Sequence, residues 1–240
     1  MDPSIDHENE LDQIKPSISL GAFILLILAT IGGAAAAILV LPAWIPGMSA
    51  SITGEQPKVF WYLSRSSAII AYFLLWASMV LGVSVTNKAA AIWPGLPTAI
   101  DLHQYFTILG LVFALFHGII LIGDGYLLLT PAQIFTPFGI TNYRPVYVGI
   151  GQTAFYIWIL ITATFYIRKK LSTRAWRFIH YFSYLTFAIA LIHGIGAGTD
   201  TAFNWSRLIY ALTALILFFL TVYRILNARA QKARKAAIRA

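Results

Sequence analysis

The sequence contains no cysteine, and this absence excludes several classes of protein. Disulfide scaffolds, thiolate metal sites, iron–sulfur clusters and covalently attached c-type haem all require cysteine. Charged residues are also scarce, at 11% of the 240 residues, against roughly 25% in a typical soluble domain. Hydrophobic residues make up 59% of the chain, and the mean hydropathy is +0.74. The composition therefore excludes a disordered chain and an ordinary soluble enzyme, and it predicts a membrane protein.

Six apolar segments are long enough to cross a bilayer, which takes roughly 20 residues. They run approximately over residues 18–41, 60–83, 99–122, 146–167, 178–197 and 208–226. The sequence thus predicts an all-α membrane protein: a six-transmembrane-helix bundle over residues 18–227, between an acidic tail (1–17) and a basic tail (228–240) that prolongs the last helix. Five tryptophans near the predicted span ends are expected to anchor the helices at the interface: Trp44, Trp61, Trp93, Trp176 and Trp205.

Lysine and arginine cluster on one side of the predicted bundle, in the two tails and in the second and fourth loops. Only four of the 17 Lys and Arg residues lie on the other side: Lys58, Arg65, Arg144 and Arg207. The positive-inside rule therefore predicts that both termini are cytoplasmic. In a soluble protein the net charge of +8 would favour nucleic acid, but this placement indicates topology instead, and no nucleic-acid partner is expected. We expect a multi-pass protein of a bacterial inner (plasma) membrane, in contact with the lipid bilayer.

Four of the five histidines fall inside predicted spans, where ionisable residues are rare and mark functional sites. His103 and His117 lie on the third helix, and His180 and His193 lie on the fifth. These two helices run in the same direction, so His103 matches His180 in depth near the cytoplasmic end. His117 and His193 match each other about 20 Å further across, at about 1.5 Å per residue. The pattern predicts two facing pairs, whereas a lone intramembrane histidine is often a structural hydrogen-bonding group. His7 lies in the polar tail and receives no role.

Facing imidazoles without cysteine favour haem iron over zinc. Zinc usually takes four ligands, or three and a water, whereas each pair offers two histidines and only Asp101 lies nearby. Two axial imidazoles across a flat macrocycle suit haem iron. The helical phase opposes this arrangement at one point. Fourteen residues from His103 to His117 return within about 40° of the same face, but thirteen from His180 to His193 end about 140° away. We expect side-chain reach, helix tilt and a rotated second haem to absorb the difference.

Several further pieces of sequence accompany the histidines. They are Tyr62-Leu63-Ser64-Arg65-Ser66-Ser67 with Ala71-Tyr72, Leu102-His103, Tyr143-Arg144-Pro145, Trp176-Arg177-Phe178-Ile179-His180-Tyr181, His193-Gly194 and Gly198-Thr199-Asp200. Together with the spacing of the four histidines, they make residues 57–226 resemble the ferric reductase-like transmembrane domain superfamily, the membrane core shared with NADPH oxidases. The similarity is greatest to bacterial stand-alone members. One departure is Ser67, where the family usually has glycine.

The resemblance implies a six-helix core that transfers electrons through two b-type haems, from the cytoplasmic to the outer face. His103 and His180 would hold the inner haem, and His117 and His193 the outer one. No flavin and nicotinamide domain follows the sixth segment, so the implied donor is a separate flavoprotein reductase or a quinol. The acceptor stays open among ferric iron, oxygen, a quinone and a periplasmic protein. Whether the chain is itself an enzyme, or only an electron-transfer component of one, stays open too.

The candidate supporting residues each have two interpretations. Arg65 either contacts a haem propionate, as the resemblance favours, or snorkels to the headgroups. Arg177 lies three residues before His180, where inner propionates would emerge, but positive-inside bias explains it equally well. The semi-apolar outer loop, residues 124–145, either caps the outer haem and shapes an acceptor site or lies in the interface without chemistry. Three aromatic residues at intermediate depth either stand between the haems or simply pack: Trp76, Phe113 and Phe187.

Other functions stay open on the sequence alone. A first alternative stays within the class of haem electron-transfer proteins: the chain would be a haem subunit of a periplasmic oxidoreductase, similar to the membrane partner of bacterial methionine sulfoxide reductase. In a second class, it is a transporter that binds no haem and uses its histidines as a proton or metal relay. In a third, it is a structural membrane module in which the histidines are dispensable.

Overall fold

Six long helices dominate the computed structural model, which describes residues 15–87 and 94–239. They are α1 (Leu20–Leu39), α2 (Val59–Thr86), α3 (Leu96–Ile120), α4 (Pro145–Tyr166), α5 (Thr173–Ala197) and α6 (Asn204–Arg239), and no β-strand occurs in the described ranges. All six are long and apolar enough to span a membrane, which confirms the predicted six-helix, all-α fold. His7, Lys88, Trp93 and nearly all of the predicted acidic tail lie outside the described residues.

Local sequence explains where several helices begin and end. α5 begins five residues before the predicted span because Ser172 caps it, accepting a hydrogen bond from Ala175 N at 3.2 Å. α4 begins at Pro145, whose fixed φ suits the first helical turn. α3 follows Gly95, whose φ of +99° favours glycine. α6 continues through Arg239, so the predicted basic tail is a prolongation of the last helix, as the sequence indicates.

The ends of the helices define two sides of the bundle. Ser17 N donates a hydrogen bond to Gln104 Oε1 at 2.9 Å, and Tyr166 Oη donates to Ile18 O at 3.1 Å. The starts of α1 and α3 and the end of α4 therefore lie together, at what we name the termini side. The opposite end holds the long loop between α3 and α4, and we name it the loop side. A short helix in this loop, Pro131–Phe135, begins with a capping box between Thr130 and Gln133.

The helices pack in neighbouring pairs and leave α3 and α5 apart. α2 lies along α3, α4 lies along α5, α1 packs on α3, and α6 packs on α2, whereas α3 and α5 are not among the extensively packed helix pairs of the described chain. The largest buried core cluster is apolar and consists of Leu75, Met79, Val83, Leu111, Trp158, Phe187 and Leu217. The outer surface is apolar as well; Leu25 is 66% exposed and Leu39 is 79% exposed. Such a surface fits contact with lipid rather than water.

Candidate functional site

Four histidine rings form two pairs in the space between α3 and α5. On the termini side, the rings of His103 and His180 have centroids 6.1 Å apart and planes at 68°. On the loop side, the rings of His117 and His193 have centroids 6.2 Å apart and planes at 70°. The structure thus brings together the histidines that the sequence matches by depth, and it keeps the two pairs in separate layers.

The distance between the rings in each pair suits a metal ion between them. A metal-bound imidazole nitrogen lies about 2 Å from the metal and the ring centre about 1 Å further, so two rings on opposite sides of one ion have centroids about 6 Å apart. A direct hydrogen bond between the rings would bring the centroids to about 5 Å. No hydrogen bond joins the rings of either pair in the described structure. The observed 6.1 and 6.2 Å therefore match coordination rather than mutual hydrogen bonding.

Two serines on α2 hold the two histidines of α3 in the same way. Ser64 O accepts from His117 Nδ1 at 2.9 Å, and Ser64 Oγ donates to His117 O at 2.9 Å. Ser78 O accepts from His103 Nδ1 at 2.8 Å, and Ser78 Oγ donates to His103 O at 3.2 Å. A carbonyl oxygen can only accept, so Nδ1 carries the proton in both rings and Nε2 keeps its lone pair. This is the usual second-shell arrangement of a metal-ligating histidine.

These serines were not among the site residues predicted from the sequence, although their spacing in the sequence indicates their role. Ser64 and Ser78 are fourteen residues apart on α2, the same spacing as His103 and His117 on α3. Because the two helices are antiparallel neighbours, equal spacings pair each serine with one histidine. The repeat identifies α2 as the helix that orients both histidines of α3.

The two histidines of α5 have different neighbours, and this resolves the conflict in helical phase. His193 lies against α4, where its Nδ1 donates to Tyr147 O at 2.8 Å. Gly151, one turn further along α4, leaves room for the ring; a Cβ at this position would overlap it. His180 instead stacks on Trp176 of its own helix, with centroids 5.1 Å apart and planes at 21°. α5 can therefore present the two rings from different faces and still give nearly equal ring separations.

Each histidine pair lines a cavity of its own. His103 and His180 line one of about 590 Å³, which we name the termini-side cavity. His117 and His193 line one of about 270 Å³, which we name the loop-side cavity. Aliphatic and aromatic side chains form most of both walls, as in typical cofactor pockets. Open space therefore lies beside the paired rings at both layers.

A thin wall separates the two cavities. Leu75, Trp158 and Thr186 line both of them. Trp158 lies against α3 at Gly110, where an added Cβ would come within 2.8 Å of the indole ring. The sequence analysis named three other aromatic residues as candidates for this position, Trp76, Phe113 and Phe187, and none of them lines either cavity. The packing interpretation fits Phe187, which stacks on Tyr72 at 5.8 Å.

The two charged side chains that line the loop-side cavity form an ion pair with no net charge. Arg65 lines the cavity, and its Nε donates to Asp200 Oδ2 at 3.0 Å while Nη2 contacts Oδ1. The two contacts make a bidentate pair, which fixes the guanidinium more firmly than a single contact does. Asp200 belongs to a segment that carries the resemblance, but the sequence did not indicate its partner. Two of the predicted interface anchors, Trp61 and Trp205, also line this cavity.

The long loop covers the loop-side cavity and is fastened to α4. Gln152 Nε2 donates to Gln133 O at 2.7 Å and to Ile134 O at 2.8 Å, and its Oε1 accepts from Phe138 N at 3.0 Å. Tyr143, where the loop ends, donates from its hydroxyl to Ala197 O at 2.8 Å. Burial raises the pKa of this tyrosine, against the opposing effect of nearby arginines, so the hydroxyl stays a donor. Several loop side chains line the cavity: Leu129, Ile134, Phe135, Ile140 and Tyr143.

The charged side chains that line the termini-side cavity are arginines. Arg177, a predicted site residue, lines it together with Arg168 and Arg224. The Arg168 guanidinium lies 4.8 Å from the centre of the Phe165 ring, and Arg224 Nη1 donates to Tyr184 Oη at 3.2 Å. On the sequence alone, Arg168 and Arg224 count only as evidence for topology, because their placement at one cavity depends on how distant parts of the chain pack together.

The donor set fits a metal that needs only two protein ligands. In the described part of the chain, no group of three or more His, Cys, Asp or Glu side chains could hold a metal ion. Zinc needs more protein ligands than a pair of imidazoles supplies. Haem iron takes four ligands from its macrocycle and two from the protein. The paired rings, the Nδ1 hydrogen bonds of three of them and the apolar cavities between α3 and α5 therefore fit two haem groups.

The comparisons with known proteins identify the family without assigning an activity. Residues 59–200 match the family model described as a domain of unknown function, DUF8596. The match covers more than half of the chain and includes all four paired histidines, and the chain belongs to this family. No curated protein and no solved structure matches the sequence.

Proposed function

We propose that this DUF8596 protein is a transmembrane electron-transfer protein that holds two b-type haems, similar in function to the ferric reductase-like superfamily. The observation that carries the proposal is the pair of matched imidazole sets, with ring centroids 6.1 and 6.2 Å apart, each lining its own cavity. Bound haem would supply one-electron chemistry at each layer. The chain supplies ligation, spacing and electrostatics.

The residues around the rings prepare them for this role. Ser64, Ser78 and the carbonyl of Tyr147 each bind an Nδ1 proton, which leaves Nε2 as the ligand atom in three of the four rings. Aliphatic and aromatic walls keep both layers dry, which strengthens the influence of nearby charges on a redox centre.

The proposed topology places the termini side in the cytoplasm, because most lysines and arginines lie there. Electrons would enter at His103 and His180 from a flavoprotein reductase or a quinol. They would leave from His117 and His193 to ferric iron, oxygen, a quinone or a periplasmic protein. Arg177 and Arg65 are proposed to bind propionate groups of the termini-side and loop-side haems, and Arg65 would do so as a member of its pair with Asp200. The proposed location is the inner (plasma) membrane.

Visible spectroscopy of the purified full chain tests the proposal. We expect a reduced-minus-oxidised spectrum of b-type haem and two haems per chain. His193→Ala should remove one haem and leave the other, and His180→Ala should remove the other one. His7→Ala, which changes the histidine outside the two pairs, is the matched control and should keep both. The proposal would be overturned if the protein stays colourless after haem has been added to it. It would also be overturned if both single variants keep their full haem content.

A further inference from the structure

The two cavities differ in the net charge of the side chains that line them. Three guanidinium groups line the termini-side cavity, from Arg168, Arg177 and Arg224. No aspartate or glutamate lines it in the described part of the chain; its other titratable groups are two histidines and three tyrosines: His103, His180, Tyr166, Tyr181 and Tyr184. Asp101, a carboxylate of α3 on this side, does not line the cavity and accepts a hydrogen bond from Ser17 Oγ at 2.8 Å.

The loop-side cavity has no comparable excess of charge. Arg65 and Asp200 are its charged lining residues, and they neutralise each other through their bidentate contact. Asp200 is only 15% exposed, so solvent screens the pair less than it would a surface ion pair. A group in this cavity therefore meets nearly zero net charge from its lining residues, whereas a group in the other cavity meets the positive charges of Arg177 and Arg224.

We infer that the termini-side site binds an electron more tightly than the loop-side site. The inference rests on the proposed function. An added electron makes a haem one unit more negative, and nearby positive charge stabilises this reduced form, the more so in a dry cavity of low dielectric. In the protein that has accepted a single electron, the electron therefore resides at His103 and His180 rather than at His117 and His193.

The position of the arginines strengthens the inference. Arg168 lies just after α4 ends, and Arg177 lies in the first two turns of α5. Arg168, which is only 9% exposed, makes further contacts of its own, so the inference rests on Arg177 and Arg224. Arg224 reaches the same end of the bundle from α6 and is held by Tyr184. Two separate helices, α5 and α6, thus place arginines at one cavity, where they also suit the anionic edge of a haem.

The consequence is a protein that holds an electron on the side where it enters. Transfer from the termini-side haem to the loop-side haem runs against the charge difference of the two cavities. It proceeds when a second electron arrives at the first site or when an acceptor removes the electron from the second. The structure therefore favours delivery to a strongly oxidising acceptor, and it disfavours loss of single electrons to weak acceptors at the loop side.

Potentiometric titration of the full chain tests this, with absorbance as the readout. We expect two midpoint potentials. His193→Ala, which keeps the termini-side haem, should retain the higher one, and His180→Ala should retain the lower one. Arg224→Gln should lower the higher midpoint potential, whereas Arg224→Lys keeps the positive charge and should leave this potential nearly unchanged. Arg229→Gln removes the same charge from an exposed position on α6 and should move neither midpoint by a comparable amount.

Each outcome has a definite meaning. Absence of haem would refute the proposed function itself. Two haems with equal midpoints, or with the higher midpoint retained in His180→Ala, would refute the charge inference and leave the proposed function standing. The same holds if Arg224→Gln shifts the higher midpoint no more than Arg229→Gln does. Asp200→Asn supplies an independent check at the other site, because it leaves Arg65 unpaired and should raise the lower midpoint.

Discussion

The most direct test of the site's geometry is the substitution Gly151→Ala. A Cβ at this position would overlap the ring of His193, and its nearest atom would be Nδ1, the nitrogen that donates to Tyr147 O. The ring must turn away, and it then loses both this hydrogen bond and its alignment with His117. Overpacking costs about 1–3 kcal/mol, which corresponds to roughly 5- to 150-fold in an equilibrium constant. Loss of a second-shell contact independently weakens metal affinity about 10- to 100-fold.

The expected result is selective loss of the loop-side haem. Gly151→Ala should retain one haem and its unchanged spectrum, whereas the other should dissociate at least tenfold more readily on dilution or gel filtration. Two matched variants grade the effect. Gly82→Ala places a Cβ 3.1 Å from His103 Cε1 and should weaken the termini-side haem only slightly. Gly32→Ala meets no atom within 4 Å, gains the same helix propensity and should retain both haems. Full retention of both haems in Gly151→Ala, with unshifted spectra, would refute the geometry.

Two further predictions concern the serines of α2 and the cover of the loop-side cavity. Ser78→Ala and Ser64→Ala each remove a hydroxyl that donates to the histidine backbone and lies within hydrogen-bond distance of Nδ1. Both keep the carbonyl that accepts from Nδ1, so each should retain both haems and shift only the midpoint of its own site. A shift of both midpoints by either variant, or loss of haem, would contradict this division of roles. Gln152→Ala removes three hydrogen bonds that fasten the long loop, each worth about 1 kcal/mol. It should speed reduction of the loop-side haem by a membrane-impermeant reductant, and an unchanged rate in stopped-flow absorbance would show that the loop is not a barrier.

The sequence predicted the features that depend on depth along a helix. Six spans follow from apolar length, and the pairing of His103 with His180 and of His117 with His193 follows from counting residues at a fixed rise. Depth is a one-dimensional property, so a single sequence contains it. The bounds were less accurate where a polar cap extends a helix beyond its apolar segment, as at the start of α5.

The features that depend on rotation and on neighbouring helices were not predictable. The phase of His193 appeared wrong because a helical wheel contains no information about Gly151 and Tyr147 on α4. Trp158 was missed as the wall between the cavities because its role depends on a glycine of α3, Gly110, that is distant in the chain. The pair of Arg65 with Asp200 likewise joins residues 135 positions apart. Such contacts require the packing of the helices to be known.

The two halves of the site are built on different principles, and this difference bears on function. α2 and α3 repeat one serine–histidine contact at both layers, with equal spacing on both helices, so this half presents two equivalent rings. α5 presents its rings to unlike surroundings: His193 lies against the backbone of α4, and His180 stacks on Trp176 near a cluster of arginines. A symmetric half fixes the geometry that both sites need, and an asymmetric half allows the two sites to differ in cavity volume and charge. The same substitution at Ser64 and at Ser78 should therefore have effects of similar size, each at its own layer, whereas substitutions around α5 should affect the two sites unequally.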